Sequence, residues 1–305
     1  MGRIALIIIY NHRYDANIEK LEWLYRGKFS QIFHLVPFYD GPRENVIPVY
    51  EHSHCFHGYV AQGFKSFFRD EFEHYLFAAD DMVLHPGLTE ETCRAFFHLD
   101  AHTSFLPAFI SLHELTYCWP HTRKAVEYRP SSGGVQGGRE LPDPEQARRL
   151  FQQHGLALGP VAFPRVYGQP WFPKSWSSAM ELARWGVKRL KFGPWVQPAY
   201  PLVGSYSDLF AVDAHTIRKF CRYCGIFAAT RLFVELAIPT ALVLSASRIV
   251  TEKDLDLKGG ALWTAAHRDL LKPFENRLPR LLAAYPPDYL YLHPVKLSQW
   301  SLEDP

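Results

Sequence analysis

Along the first ~125 positions short apolar runs alternate with stretches whose apolar residues recur at helical spacing. Residues 4–10 form an unbroken, β-branched apolar run and predict a central strand. Residues 16–29 place Ile18, Leu21, Leu24 and Tyr25 at helical spacing. Residues 31–38 predict a second strand, closed by the turn signal YDGP, and residues 46–50 a short third one. Residues 58–72 carry Val60, Phe64, Phe67, Phe68 and Phe72 on one face, the pattern of an amphipathic helix. Tyr75, Leu76, Phe77 and Ala78 then predict a buried strand that stops at Asp80 and Asp81, and Met82, Val83 and Leu84 resume the apolar run. This β-α-β-α-β order predicts an α/β fold: a mostly parallel sheet with helices on both faces. Such sheets bind ligands beyond the carboxyl ends of their strands. Those ends are residues 11–13, 39–40, 52–57 and 80–81; all are polar and are expected to converge on one crevice.

The second half is less regular. Residues 129–139 are rich in Gly and Ser and predict a loop, and residues 159–176, loaded with Pro and aromatics, an irregular segment. Asp143 followed by Pro-Glu-Gln predicts a helix start, and Gly155 its end. Residues 212–225 predict a helix capped by Asp213 and stopped by Gly225, and residues 231–246 a helix kinked near Pro239. The terminal YLYLHPVKLSQW predicts a strand and a polar turn. No internal repeat is present.

Composition narrows the function. A net charge of +2 is too near neutral to argue for nucleic acid as the main partner. Five cysteines, an odd count in a chain of 305 residues, argue against a disulfide framework. The N-terminus carries no cleavage pattern, and the longest apolar stretch, residues 232–246, is broken by Glu235 and Pro239. It reads as buried rather than transmembrane, and the expected location is cytoplasmic.

Asp80 and Asp81 are the strongest chemical signal. Adjacent carboxylates at the end of a buried strand repel and raise each other's pKa unless a cation lies between them. Mn²⁺ or Mg²⁺, with oxygen ligands, is the natural partner, and such an ion would in turn bind a diphosphate.

The stretch around these acids resembles the acidic motif of GT-A-type glycosyltransferases, nucleotide-diphospho-sugar transferases with a Rossmann-like α/β domain. The family pattern, apolar-apolar-Asp-Asp-Asp-apolar-apolar, pairs with Phe77, Ala78, Ala79, Asp80, Asp81, Met82 and Val83. Its first acid is Ala79 here, a departure that puts full metal binding in doubt. The resemblance implies that Asp81 ligates the metal and that Asp80 faces the ribose or the metal's water shell. It implies that Tyr10 stacks on the base beside Asn11, His12 and Arg13, that Asp40 accepts a base N–H, and that the helix starting near His57 approaches the donor sugar. It also implies that His293 is a further metal ligand with Lys296 on the diphosphate. Residues 206–220 and 232–244 resemble acceptor-side segments, which makes Asp208 and Glu235 the candidates for the acceptor site and its base. The implied organisation is one domain: a nucleotide-sugar-binding half over residues 1–125 and an acceptor-side half over residues 126–305.

The expected activity is thus metal-dependent, hexosyltransferase-like transfer from a nucleotide-sugar, UDP-linked by preference, to a glycan, lipid-linked or small acceptor. The alternative is a degenerate relative that binds a nucleotide or a protein partner without transfer, which Ala79 motivates. A nucleotidyltransferase is disfavoured because YNHRYDAN, after the first strand, lacks a Gly-rich phosphate loop.

Plainer readings stand beside these. Asp80 and Asp81 could cap a helix. His52, His54, Cys55 and His57 have transition-metal spacing but no second ligand pair nearby, so loop histidines beside a phosphate pocket are the simpler reading. Cys221 and Cys224 read as core, Lys296 as a surface lysine, and His293 equally as a core histidine or a ligand. Trp171, Trp176, Trp195 and Trp263 could be sugar platforms or core. Residues 180–191 read as an amphipathic helix covering the acceptor side, interrupted by Gly186, with contact to an anionic membrane as the other reading.

Overall fold

A computed structural model of the chain describes residues 3–117, 119–131, 136–168 and 176–303. Cys118, Trp171, the Trp176 side chain and parts of the predicted loops 129–139 and 159–176 lie outside the described residues.

The strands are β1 (Arg3–Ile9), β2 (Ile32–Pro37), β3 (Val46–Val49), β4 (Phe72–Ala79), β5 (Val83–Leu84), β6 (Thr103–Phe105), β7 (Val161–Ala162), β8 (Trp195–Val196), β9 (Leu209–Asp213), β10 (Arg248–Val250), β11 (Lys258–Ala261) and β12 (Tyr289–His293). The helices used below are α1 (Ala16–Tyr25), α2 (His57–Phe67), α3 (Cys93–Phe96), α4 (Thr122–Glu127), α5 (Pro144–Gln153), α6 (Phe163–Tyr167), α7 (Trp176–Phe192), α8 (Ile217–Ala229) and α9 (Val234–Val243).

Seven strands form one sheet in the order β10-β6-β9-β4-β1-β2-β3. β3, β2, β1 and β4 run parallel, and β9 lies antiparallel to both β4 and β6. A second sheet, β11-β12-β5, continues from the acidic turn after β4. The fold is therefore mixed α/β with a large, mostly parallel sheet, as the strand-helix alternation predicts.

The period of two along β1 divides the core. Ala5, Ile7 and Ile9 point to one face and pack with Val60, Phe67, Phe220 and Phe227 of α2 and α8. Ile4, Leu6 and Ile8 point to the other, toward Ile18, Leu21 and Leu24 of α1 and Leu290 and Leu292 of β12. β4 is locked to its antiparallel neighbour by Phe77 opposite Phe210, their rings stacked 4.6 Å apart.

Several predicted boundaries move. The helix predicted over residues 58–72 ends at Phe67, because Phe72 already pairs with β1. Residues 212 and 213, predicted as helix, close β9 instead; a short apolar run does not distinguish a buried strand from a helix. Asp213 is nevertheless a cap of sorts, accepting from the His215 and Thr216 N–H groups at 3.0 Å. Gly225 does not stop α8. It lies inside the helix, where an added Cβ would sit 3.3 Å from the Ala61 Cβ of α2, so it lets two helices pack closely. The Asp143 cap forms as predicted, its Oδ1 accepting from the Glu145 and Gln146 N–H groups, and Gly155 has φ +69° just beyond α5.

Candidate active site

Four segments far apart in sequence meet at the carboxyl edge of β4. Asp80 and Asp81 follow its last residue. Because β9 runs antiparallel, it starts where β4 ends, and the Ala79 N–H donates to the Asp208 carbonyl at 2.8 Å. β12 ends at His293, and the Val295 N–H returns to the Asp81 carbonyl at 2.6 Å. α9 supplies Glu235 in its first turn. Pro239, inside this helix, has no N–H to give the Glu235 carbonyl, and the Ser205 N–H takes that acceptor at 3.0 Å. The helix-interior proline thus ties Glu235 to the segment that carries Asp208.

Asp81, Asp208, Glu235 and His293 line one cleft of about 370 Å³, with Asn11 and His12 on one side and Phe233 and Trp263 on others. That volume suits a small-molecule site. A groove lined by Asn11, His12, Arg13, Phe38 and His52 continues from it. A separate cavity beside Leu112, Phe151 and Tyr200 holds about 30 Å³ and has no carboxylate in its wall.

The charges are coupled. His293 Nε2 lies 3.1 Å from Asp81 Oδ1, and its Nδ1 lies 4.0 Å from Asp208 Oδ2. Burial pushes the His293 pKa down, but contact with Asp81 and the charges of Asp208 and Asp80 outweigh it, and the net shift is upward. Burial is the main cause that raises the Asp208 pKa, with Asp81 adding to it and His293 opposing. Glu235 is raised to about 7, first by burial and then by Asp208, with Lys124 opposing. His121 Nε2 stands 3.9 Å from Glu235, but burial, Lys124 and His54 lower its pKa to about 4, so at neutral pH it is an uncharged neighbour.

Asp81 and His293 fit a divalent cation. Their 3.1 Å contact lies off the ring N–H direction and leaves Asp81 Oδ1 buried without a hydrogen bond. Two ligands held at about 2.1 Å in octahedral geometry stand about 3 Å apart, which matches this separation. Among the described residues no group of three or more His, Cys, Asp or Glu side chains forms a metal cage. Two protein ligands are still adequate for an ion that takes its other oxygens from water and a phosphate.

Several residues expected at the site are elsewhere. Asp80 does not line the cleft with Asp81. It is 3% exposed, accepts from Asn17 Nδ2 at 3.1 Å and anchors the start of α1 to the sheet. Burial, then Asp81, raises its pKa to about 7. Tyr10 is fully buried, its hydroxyl 2.9 Å from His34 Nδ1, so it cannot stack on a base. Asp40 is exposed, and Arg13 pairs with its Oδ1 and lowers its pKa; it is absent from the residues lining the cleft. Lys296 is exposed and absent from the residues lining the cleft. The lysine near the cleft is Lys124, 4.3 Å over the Phe233 ring, which the sequence reading did not single out. Cys55 donates to the Leu232 carbonyl and His57 is in the core, so only His54 of the predicted histidine cluster shares the cleft wall with Asp81. Cys221 and Cys224 are buried in α8.

His57 is the clearest of these corrections. It opens α2 fully buried, and neither ring nitrogen finds a hydrogen-bond partner; the Phe227 carbonyl is near but outside bonding geometry. Burial lowers its pKa to about 3. The unfolded ring takes up a proton below about 6.5 while the folded ring stays neutral, so stability present above that pH is lost as pH falls toward 3. His57→Leu is expected to reduce the loss of urea stability between pH 7 and pH 5 by about 2 kcal/mol. Equal losses in the two proteins would show that His57 is not held neutral.

Neither a protein-family model nor a curated protein matches this chain.

Proposed function

We propose that this protein is a metal-dependent glycosyltransferase of the GT-A type that moves a sugar from a nucleotide-sugar, UDP-linked by preference, to a glycan, lipid-linked or small acceptor. The observation that carries this reading is the meeting of Asp81, Asp208, Glu235 and His293 in one cleft at the carboxyl edge of a mostly parallel sheet. Such edges are where α/β sheets bind ligands.

Asp81 and His293 would hold Mn²⁺ or Mg²⁺. When bound, the ion supplies positive charge to a departing diphosphate without proton transfer. The groove beside Asn11, His12 and Arg13 suits the nucleoside end of the donor. Glu235 suits the acceptor side: a carboxylate with a pKa near 7 can take the proton of an acceptor hydroxyl as the oxygen attacks the sugar carbon. Trp263 stands edge-on to His293 at 5.3 Å and parallel to Tyr206 at 6.4 Å, an exposed aromatic wall of the kind that packs against a sugar ring.

A second reading, nucleotide binding without transfer, is favoured by one observation. Ala79 and Asp80 are both buried, which leaves Asp81 as the single member of the motif at the cleft. Donor hydrolysis under added metal separates the two readings.

Calorimetric titration of the protein with UDP tests the donor site. Binding is expected with Mn²⁺ and at least tenfold weaker without it. No heat in either condition sinks the UDP reading.

A further inference from the structure

Helix α7 presents a face that nothing yet described explains. It runs unbroken from Trp176 to Phe192, through Gly186, which the sequence suggested would interrupt it. Its inner side is anchored. Trp185 Nε1 donates to the Gly168 carbonyl at 3.2 Å, and its ring meets Phe163 edge-on at 5.2 Å. Phe192 stacks on Tyr167, with Lys188 4.4 Å over the same ring, and Arg189 lies over Phe163.

The outer side is apolar and open. Met180, Ala183, Val187 and Leu190 follow one another at steps of three and four residues, so they form a single stripe along the helix. Leu190 is 89% exposed, Val187 66% and Met180 55%. A Cβ added at Gly186, on the margin of this stripe, would meet nothing within 4 Å. Arg184 and Lys191 are both exposed and lie seven residues apart, on the same edge of the stripe. Trp195, just beyond the helix, is 57% exposed. Across the helix, four basic residues stand against the single acid Glu181.

We propose that the outer face of α7 docks in the plane of an anionic bilayer surface. The helix has the parts such binding needs: a narrow apolar stripe to enter the acyl boundary and cations on its edge to meet anionic headgroups. The match of basic edge to anionic headgroup selects a bilayer over a neutral protein surface. No described helix is long and apolar enough to cross a membrane, so the contact is peripheral as far as the described helices go. α7 packs on α6 and α6 on α4, whose N-cap residue His121 faces Glu235, so the docking face belongs to the same half as the acidic wall of the cleft. The proposal stands whether or not the protein transfers a sugar.

Flotation of the full chain with vesicles of phosphatidylcholine, alone or mixed with phosphatidylglycerol, tests it. The wild type is expected to float with the mixed vesicles, more weakly with the neutral ones, and less as salt rises. Val187→Glu with Leu190→Glu should abolish flotation while leaving the urea midpoint unchanged, since both side chains are already in water. Arg184→Ala with Lys191→Ala should weaken binding to the mixed vesicles on the order of tenfold and leave neutral vesicles unaffected. Three results would overturn the proposal: no flotation with anionic vesicles, undiminished flotation of the glutamate variant, or a wild-type dimer that the glutamate pair converts to monomer. The last would assign the stripe to a second copy of the chain.

Discussion

Asp81→Ala is expected to abolish metal-dependent UDP binding and to lower transfer by on the order of 10³-fold or more, since a bound cation contributes several kcal/mol of charge stabilisation. The backbone should survive the change, because the Asp81 carbonyl, not its side chain, accepts from Val295. The buried Oδ1 of the side chain makes no hydrogen bond, so what its loss removes there is the ion-pair contact with His293. His293 would then keep only the Asp208 and Asp80 charges, and its raised pKa should fall. Calorimetry with UDP and Mn²⁺, a donor-hydrolysis assay and a urea melt read the three consequences separately. A variant with wild-type metal-dependent binding would remove Asp81 from the metal site and the proposed chemistry with it.

Glu235→Gln is the second large effect. Removing a general base typically costs on the order of 10²–10⁴-fold in kcat, and UDP affinity in Mn²⁺ should be untouched, because Glu235 is not one of the residues proposed to hold the ion. The wild type should show kcat rising as pH climbs through about 7 and levelling above it, since the base acts only when ionised. Burial sets most of that value, and the groups facing Glu235 adjust it. Asp208 raises it, Lys124 lowers it, and His121 stays neutral over this range. Lys124→Ala removes the opposing cation and should therefore move the limb to higher pH. A pH-independent wild-type kcat, or an unchanged kcat in the glutamine variant, would leave Glu235 as a structural acid.

The two experiments separate the parts of the site. The first tests whether the cleft holds a diphosphate through a cation. The second tests whether it does chemistry on an acceptor. A protein that passes the first and fails the second is the nucleotide binder that the buried Ala79 and Asp80 also allow.

The amino-acid sequence by itself determined the layers. Short buried apolar runs and helical spacing of about three and a half distinguish β1, α1, β2, β3, α2 and β4, and that alternation predicts a mostly parallel sheet with helices on both faces. It also pointed to the carboxyl edge of that sheet, and the resemblance of its motifs to GT-A glycosyltransferases singled out Asp81, Asp208, Glu235 and His293, which the structure brings to one cleft. Local signals of this kind are legible because they depend on neighbours a few residues away: the Asp143 cap and the turn at Gly155 are further cases.

Only the tertiary structure decided which polar residue faces the cleft. Asp80 and Asp81 are indistinguishable as a pair of letters, yet at the end of a strand successive side chains leave in opposite directions, and one goes to Asn17 and the other to His293. Tyr10 and His57 look equally available in sequence and are both sealed in the core, since burial depends on segments hundreds of atoms away along the chain. The partnership of Asp81 with Asp208 rests on β9 being antiparallel, and Glu235 is held in place because Pro239 withholds an N–H and Ser205 fills the gap. Strand direction and long-range hydrogen bonds are set by the packing of the whole sheet, and no window of sequence contains them.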